Sequence, residues 1–284
     1  MDFAAIGQAA WRILRDAFGH FSLDDGWAMA SHVALTTLMA LFPFLIFSAS
    51  LASFLHAEGF TETVLPLLFE VWPKEVAGPI VAEVRQVLAF QRGGLLTVTA
   101  LAAAFFASSG VEALRTSLNR AYRMREKRSA FRLRLESVGF VLLATATLLL
   151  VSLLLVALPI AARLIAAKFP DIRQMLGDLE LWRYLIATTI LITGLTISHL
   201  FLPAGTRRVR DILPGVVLTI GFWIAGSAAF VSYLESFASY AATYAGLASI
   251  MIALVFLYMV SVIFILGGEL NAAFMRYRDA GRAA

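Results

Sequence analysis

The chain has 284 residues, of which 60% are hydrophobic and 15% are charged, and its formal net charge is +4 at pH 7. Soluble domains average about 45 to 50% apolar and about 25% charged residues, so this composition excludes an ordinary water-soluble domain and predicts a polytopic membrane protein. Cysteine is absent, which excludes disulfides, thiolate nucleophiles and cysteine-ligated metals and leaves the redox compartment open.

The first 25 residues precede the apolar runs and predict a helix on the membrane surface. Phe3, Ile6, Ala10, Ile13 and Ala17 recur every three or four residues, as in an interfacial amphipathic helix. An entry segment packed on the bundle is the alternative. Charged residues interrupt this stretch, so it lacks the apolar centre of a cleavable signal peptide and we expect nothing to be removed.

Six apolar stretches follow, each long enough to cross a bilayer. They are residues 28–56, 93–113, 137–162, 182–203, 212–235 and 245–270. Segments that span hydrocarbon must satisfy their backbone internally, so all six are predicted to be helices. The expected fold class is all-α: one integral membrane domain over residues 1–284, with six transmembrane helices and short interfacial helices. A second interfacial helix is predicted at residues 79–90.

Basic residues concentrate in one set of alternate segments: the N-terminus, residues 113–136, the turn 207–210 and the C-terminal tail. Positive charge stays on the cytoplasmic side, so both termini are predicted to be cytoplasmic. The segment 113–136 carries eight Lys or Arg residues. Nucleic acid is one interpretation of such a cluster. Anionic lipid headgroups are favoured, because the inner leaflet attracts each basic residue by roughly 1 kcal/mol. The predicted partners are therefore membrane lipids and not nucleic acid.

Motifs for catalysis are missing from the sequence. The four histidines stand apart without an HExxH pattern, and neither a GxxxxGK[ST] loop nor a GxSxG elbow occurs. We therefore expect no enzymatic activity, no metal site and no cofactor.

Polar residues in or beside the spans are the candidate contacts. His32, near Thr36 in the first span, predicts a neutral histidine hydrogen-bonded between helices, and a polar contact with a ligand is the alternative. Glu112 ends the second span and is expected to pair with Arg115 or Arg120.

Glu269 follows two glycines that allow close approach of a neighbouring helix. We predict a structural clamp between its carboxylate and Arg115, Arg120 or the turn 207–210. A role in binding a substrate or a proton is the alternative.

Prolines and tyrosines mark further features. Pro43 lies within the first span and predicts a kink. Pro203 and Pro214 flank a short basic turn, where Pro203 is predicted to end one helix and Pro214 to start the next, so the two spans form an antiparallel hairpin. Near the predicted outer side, Tyr240 and Tyr244 suggest an aromatic belt or a polar-lined entrance.

Five motifs carry a resemblance to a known family: LFPFLIF in the first span, LNRAY (118–122), LP followed by RRVRDILPG (202–215), SYAATYAGL (239–247) and LGGELNA (266–272). Together they resemble the YihY/BrkB family of bacterial inner-membrane proteins, once labelled ribonuclease BN. The resemblance covers nearly the whole chain and implies a six-helix inner-membrane protein with cytoplasmic ends.

The positions that match the family are Pro43, Gly110, Asn119, Arg120, Tyr122, Pro203, Pro214, Gly215, Tyr240, Thr243, Tyr244, Glu269 and Asn271. The chain departs from the family pattern at Leu35, Thr36, Ser109 and Ala241, which weakens any polar site built on those residues. The sequence contains no recognisable catalytic residues that would support the ribonuclease label.

The predicted function is transport or translocation of a lipid or another amphipathic or anionic substrate. A scaffold that holds envelope proteins is the alternative, and a nuclease is disfavoured. A homo-oligomer or an envelope-protein partner is left open.

Overall fold

The computed structural model describes residues 3–54, 93–159, 162, 173–243 and 245–283. Within these ranges the protein is helical and contains no strand, as predicted. The seven α-helices of the described part are α1 (Phe3–Leu23), α2 (Gly26–Phe54), α3 (Gly93–Ala121), α4 (Ala130–Ser152), α5 (Arg173–Phe201), α6 (Val209–Thr243) and α7 (Ala245–Ala283). A π-helical segment, Leu153–Ala157, continues α4. The predicted helix at 79–90 lies outside the described residues.

Four helical segments of the described part are long and apolar enough to cross a membrane. They are Ala130–Leu155, Leu181–Phe201, Val209–Leu234 and Ile250–Ala280, and the apolar part of α2, Gly26–Leu41, is shorter. The count of six spans therefore stays a prediction. Large apolar side chains remain exposed along these segments, among them Leu142, Leu148, Val217 and Ile224. Such a surface is typical of helices solvated by lipid.

Helix α7 lies at the centre of the packing. It contacts α1, α2, α3 and α6, while α2 packs along α3 and α4 links α3 to α5. The main core cluster joins buried side chains from six helices and the loop after α5, including Phe21, Leu118, Leu195, Val216 and Phe264. The end of α7 is thus held by several neighbours at once.

Helix α1 is amphipathic, as predicted. Ala17 is buried against Leu270 and Ala273 of α7, and Ile13 packs beside it. On another side of the helix, Asp16 accepts hydrogen bonds from Arg276, the shorter at 2.7 Å. A small apolar contact and an ion pair together fix α1 on the last helix.

The end of α3 is a Schellman motif without glycine. The N–H of Met124 donates to the carbonyl of Asn119 at 2.8 Å, and the N–H of Arg123 donates to Arg120 at 2.8 Å. Arg123 has φ of 55°, the left-handed conformation that such a cap requires. Ser129 then caps α4 by accepting from the N–H of Arg132. The predicted basic segment 113–136 is therefore mostly helical, with a short connection in its middle.

The three prolines differ in their outcome. Helix α2 continues through Pro43. Pro203 lies just after α5 and is buried, as expected for a residue that ends a helix. Pro214 was predicted to start the next helix, but α6 begins earlier, at Val209. Asp211 explains the earlier start, because its carboxylate accepts from the N–H of Arg208 and supplies negative charge in the first turn.

Candidate functional site

Four parts of the chain meet at one end of the bundle: the end of α3, the loop 202–208, the start of α6 and the end of α7. Asn119 of α3 accepts from the backbone N–H of Ala204 at 2.6 Å. Asp211 of α6 accepts from Arg278 of α7. We refer to this region as the polar end.

Helices α6 and α7 cross at two glycines. A Cβ at Gly215 would overlap with the carbonyl oxygen of Gly267, and a Cβ at Gly267 would overlap with Oγ1 of Thr219. Close crossing at small residues is the usual way in which membrane helices pack. The backbone N–H of Gly215 then donates to Oδ1 of Asn271 at 2.6 Å. Both glycines are needed for this contact, since any side chain would separate the helices.

Asn271 begins a buried series of hydrogen bonds that also includes Tyr122 and His199. Because Oδ1 faces the N–H of Gly215, its Nδ2 must face Tyr122, and it donates to the Tyr122 hydroxyl at 3.0 Å. That hydroxyl lies 2.9 Å from Nδ1 of His199. The two groups share a hydrogen bond whose direction is set by the histidine tautomer. In the described part, Nε2 is buried without a hydrogen-bond partner.

Arg207 lies over the ring of Tyr122 in this series of hydrogen bonds. Its guanidinium carbon lies 3.9 Å from the centroid of the Tyr122 ring, a cation–π contact. Nη2 donates to the carbonyl of Ala204 at 2.7 Å, whereas Nη1 is buried without a partner in the described part. Burial raises the pKa of Tyr122 and lowers the pKa of Arg207 from their ordinary values. The Tyr122 hydroxyl is therefore neutral.

Glu269 lies beside this series of hydrogen bonds on α7 and is 1% exposed. Its Oε2 is buried without a hydrogen-bond partner, and no described cation forms an ion pair with it. Its charged neighbours are Asp24, Arg123, Arg276 and Asp16. Burying a carboxyl oxygen without a hydrogen-bond partner is costly, so Glu269 is an energetically unfavourable residue at the polar end.

The predicted clamp of Glu269 is wrong for each of its proposed partners. Arg115 donates to Leu133 and Ser137, and Arg120 donates to the Asp25 carboxylate at 3.1 Å. The guanidinium of Arg207 covers Tyr122. In the same turn Arg210 lies 3.8 Å from the Asp211 carboxylate, and within the described residues no ion pair reaches Glu269.

Glu126 organises the connection between α3 and α4. It accepts from Nδ2 of Asn119 at 3.1 Å and from Nε and Nη2 of Arg128 at 2.8 and 2.7 Å. Arg128 also donates to Glu136 and to the carbonyl of Leu202. The hydrogen bonds from Arg128 lower the pKa of Glu126 to about 2. Asn119 and Arg128 thus fix both the connection and the loop 202–208.

An open groove of about 640 Å³ lies beside this network, and we name it the arginine groove. Charged residues that line it are Asp24, Glu112, Arg115, Arg120, Arg123, Arg125 and Glu126. Two of the carboxylates are neutralised from outside the groove, because Glu112 pairs with Arg134 at 3.0 Å and Glu126 pairs with Arg128. Arg120 and Arg123 pair in turn with Asp25 and Asp24, so Arg115 and Arg125 are the residues that make the groove positive.

Arg115 is the buried cation of the arginine groove. It is 3% exposed, and its Nη2 donates to Leu133 at 3.1 Å and to Ser137 at 2.9 Å. Its Nε is buried without a partner in the described part. Glu112 was predicted to pair with Arg115 or Arg120, and this is wrong, because Arg134 reaches it from α4.

The remaining predicted residues lie away from the polar end or outside the description. His32 is exposed, so the predicted hydrogen bond between helices is not formed. The hydroxyl of Thr36 donates within α2, to the carbonyls of His32 at 2.8 Å and Val33 at 3.0 Å. Tyr240 and Thr243 belong to α6, but their side chains lie outside the description, as does all of Tyr244.

Sequence reasoning missed His199, Arg207, Glu126 and the contact between Arg115 and Ser137. His199 carried a signal, because it is an ionisable residue in an apolar run. The described residues contain no group of three or more His, Cys, Asp or Glu side chains that could hold a metal ion.

The family described as virulence factor BrkB matches residues 17–284. The chain belongs to the BrkB family. Membership confirms the predicted resemblance, and together with the apolar helices it identifies a membrane protein.

Two relatives of this BrkB-family chain cover most of its length. A protein named ribonuclease-like protein YfkH, from Bacillus subtilis (strain 168), is 30% identical over 262 residues, which are 91% of this chain and 94% of that protein. A UPF0761 membrane protein from Alkalilimnicola ehrlichii is 27% identical over 271 residues, which are 93% of this chain and 58% of that protein. No solved structure matches the chain.

Proposed function

We propose that this BrkB-family protein moves an anionic amphipathic molecule, such as a phospholipid, between the two leaflets of a bacterial inner membrane. The observation that carries the proposal is Glu269, a fully buried carboxyl group with an unpartnered oxygen on a helix apolar enough to cross a membrane. Such residues are costly inside a bundle and are typical of substrate or ion paths.

The arginine groove supports an anionic substrate. Its carboxylates Glu112 and Glu126 are neutralised by Arg134 and Arg128, while Arg115 keeps an unpartnered Nε and Arg125 is exposed. A phosphate group accepts hydrogen bonds from guanidinium groups in this kind of setting. The groove then binds the headgroup, and the neighbouring helices provide the apolar contact for the rest of the molecule. Charge counting predicts that this end faces the cytoplasm.

The proposal is for a protein without hydrolytic activity. The word ribonuclease belongs to the name of the Bacillus subtilis relative, and the burial of the polar end supports a role other than cleaving nucleic acid. Tyr122, His199 and Asn271 are hydrogen-bonded to one another, and His199 is fully buried. A nucleic-acid backbone has no access to them.

A leaflet-exchange assay tests the proposal. Purified protein is reconstituted in liposomes that carry fluorescent phosphatidylglycerol, and dithionite reports how fast the inner-leaflet probe reaches the outer leaflet. Wild type is expected to exceed protein-free liposomes. Arg120→Ala is expected to slow exchange, because Arg120 lines the groove. Arg132→Ala is the matched control, since Arg132 is exposed on α4 and is not among the lining residues.

A scaffold that does not transport is the second candidate. It is favoured by the way in which Asn271 and Tyr122 join α3, α6 and α7 through hydrogen bonds, since a rigid end suits a docking platform. Exchange equal to that of empty liposomes, together with recovery of one stoichiometric envelope protein in pull-downs, would replace the transport proposal with this one.

A further inference from the structure

A second groove, of about 550 Å³, lies between α1, α6 and α7 on a different side of the polar end. We name it the apolar groove. Its lining residues are Trp11, Leu14, Arg15, Ala17, Phe18, Gly19, Leu218, Phe222, Leu266 and Leu270. It shares no lining residue with the arginine groove. Nothing in the proposed function uses it.

Arg15 is the one charged residue among those that line the apolar groove. It is exposed, and within the described part of the chain no carboxylate pairs with it. The next residue, Asp16, points elsewhere, because it pairs with Arg276 at 2.7 Å and with His20 at 3.1 Å. A cation without a counter-charge therefore lies at an apolar recess.

The outer face of α1 continues the apolar groove toward the surrounding solvent. Trp11 is 67% exposed, and Leu14 and Phe18 are also exposed. Trp11, Arg15 and Phe18 lie four and three positions apart, so they share one side of the helix. In a membrane protein, a helix with exposed tryptophan and basic residues on its side lies at the level of the lipid headgroups. Lipid is therefore the solvent that reaches this groove.

We propose that the apolar groove is a binding site for an anionic phospholipid, with the phosphate at Arg15 and an acyl chain between α1, α6 and α7. The ligand must be both anionic and apolar, because the groove offers one cation and otherwise apolar side chains. Inorganic phosphate would bind Arg15 but not the apolar side chains. A zwitterionic lipid would fill the groove with its acyl chain, but its headgroup would be attracted less strongly to Arg15. The bound lipid joins α1 to the two helices that cross at Gly215 and Gly267.

Two glycines of α1 provide a matched test. A Cβ at Gly19 would meet nothing within 4 Å, and the same holds for Gly7. Gly19 lines the apolar groove, whereas Gly7 does not. Gly19→Leu therefore adds a side chain at the groove lining with room for its Cβ, and Gly7→Leu adds the same side chain to the same helix elsewhere. Both changes raise helix propensity by a similar amount.

Native mass spectrometry of the purified protein with added phosphatidylglycerol or phosphatidylcholine measures binding. Gly19→Leu is expected to lower phosphatidylglycerol binding by about tenfold, while Gly7→Leu matches wild type. Arg15→Gln is expected to lower the ratio of phosphatidylglycerol binding to phosphatidylcholine binding by about tenfold. This factor corresponds to the loss of one charge-assisted contact. Inorganic phosphate is expected not to compete.

Equal lipid binding by Gly19→Leu and Gly7→Leu would overturn the site, as would competition by inorganic phosphate alone. A dimer that persists without lipid and is broken by Gly19→Leu would assign the groove to a second copy of the chain, which also overturns the proposal. If Gly19→Leu does not fold, Arg15→Gln decides, because Arg15 is exposed and unpaired; an unchanged preference for phosphatidylglycerol then contradicts the site. None of these results depends on leaflet exchange.

Discussion

The side chain of Asn271 accepts from the backbone of Gly215 at 2.6 Å and donates to the hydroxyl of Tyr122 at 3.0 Å. One amide thus joins α7 to α6 and to the end of α3. Along the sequence, Gly215 lies 56 positions and Tyr122 lies 149 positions before Asn271. This contact fixes the end of the bundle where the arginine groove and Glu269 lie.

The crossing of α6 and α7 is expected to depend on Gly215. Gly215→Ala places a Cβ on the Gly267 carbonyl and on Asn271, and overpacking of this kind costs about 1–3 kcal/mol. Gly221→Ala is the control in the same helix, because its Cβ would meet nothing within 4 Å; it should be neutral or stabilise by up to about 1 kcal/mol. Thermal unfolding in detergent compares the two. Equal melting temperatures would contradict the close crossing.

Tyr122 and Asn271 are expected to be energetically coupled. Tyr122→Phe leaves Nδ1 of His199 and Nδ2 of Asn271 without a partner, and each buried unpaired group costs about 1–3 kcal/mol. Asn271→Leu removes the side-chain acceptor of the Gly215 N–H and one of the two hydrogen bonds of the Tyr122 hydroxyl. The double variant is expected to be more stable than the sum of the single variants by about 1 kcal/mol or more. Strict additivity in urea or heat unfolding would show that the hydrogen bond is absent.

Sequence reasoning identified the all-helical fold, the amphipathic α1 and the close approach at Gly267 and Gly268. These features depend on composition and on periodicity along one helix, which are local. The partners of Glu112 and Glu269 were predicted wrongly. The partner of each carboxylate depends on which faces of neighbouring helices are packed together. Here α4 packs on α3 so that Arg134 reaches Glu112.

His199 and Arg207 were missed for a similar reason. His199 gains its role only because Tyr122, 77 positions away, meets it. Arg207 belongs to a basic turn that was interpreted only as evidence for the orientation of the protein in the membrane. Its cation–π contact with Tyr122 depends on the folded structure. Neither contact leaves a pattern in the sequence alone.

Acid is expected to weaken the protein through Glu126. Its pKa is about 2 in the folded protein, compared with the ordinary 4.5, so its stabilising contribution is full above about pH 4.5 and is lost as the pH falls toward 2. The loss between pH 6 and pH 3 is about 2 kcal/mol. Glu126→Gln removes this titration, so its melting temperature should fall less across that range. Parallel curves for the two proteins would contradict the assignment.

The polar end is expected to lie on one side of the membrane. Asn119 bonds to Ala204, and Arg278 bonds to Asp211, so the α3–α4 connection and the end of α7 share that side. The chain has no cysteine, which allows single-cysteine labelling of Lys127→Cys and Asp279→Cys by an impermeant maleimide. Both should label only from the cytoplasmic face, and Leu181→Cys, where the apolar part of α5 begins, should label from the other face. Labelling of positions 127 and 279 from opposite faces would contradict the shared end.

The initial rate of phosphatidylglycerol exchange by wild type and Glu269→Gln in liposomes tests the central claim most directly. Glu269 is buried without a partner, so the neutral amide should leave the melting temperature unchanged or raise it. Exchange should slow by about tenfold, which corresponds to about 1.4 kcal/mol in the barrier. Wild-type exchange above that of protein-free liposomes, with the loss confined to a folded variant, is the predicted result. Exchange by Glu269→Gln at the wild-type rate would contradict the assignment of this carboxyl group to the substrate path.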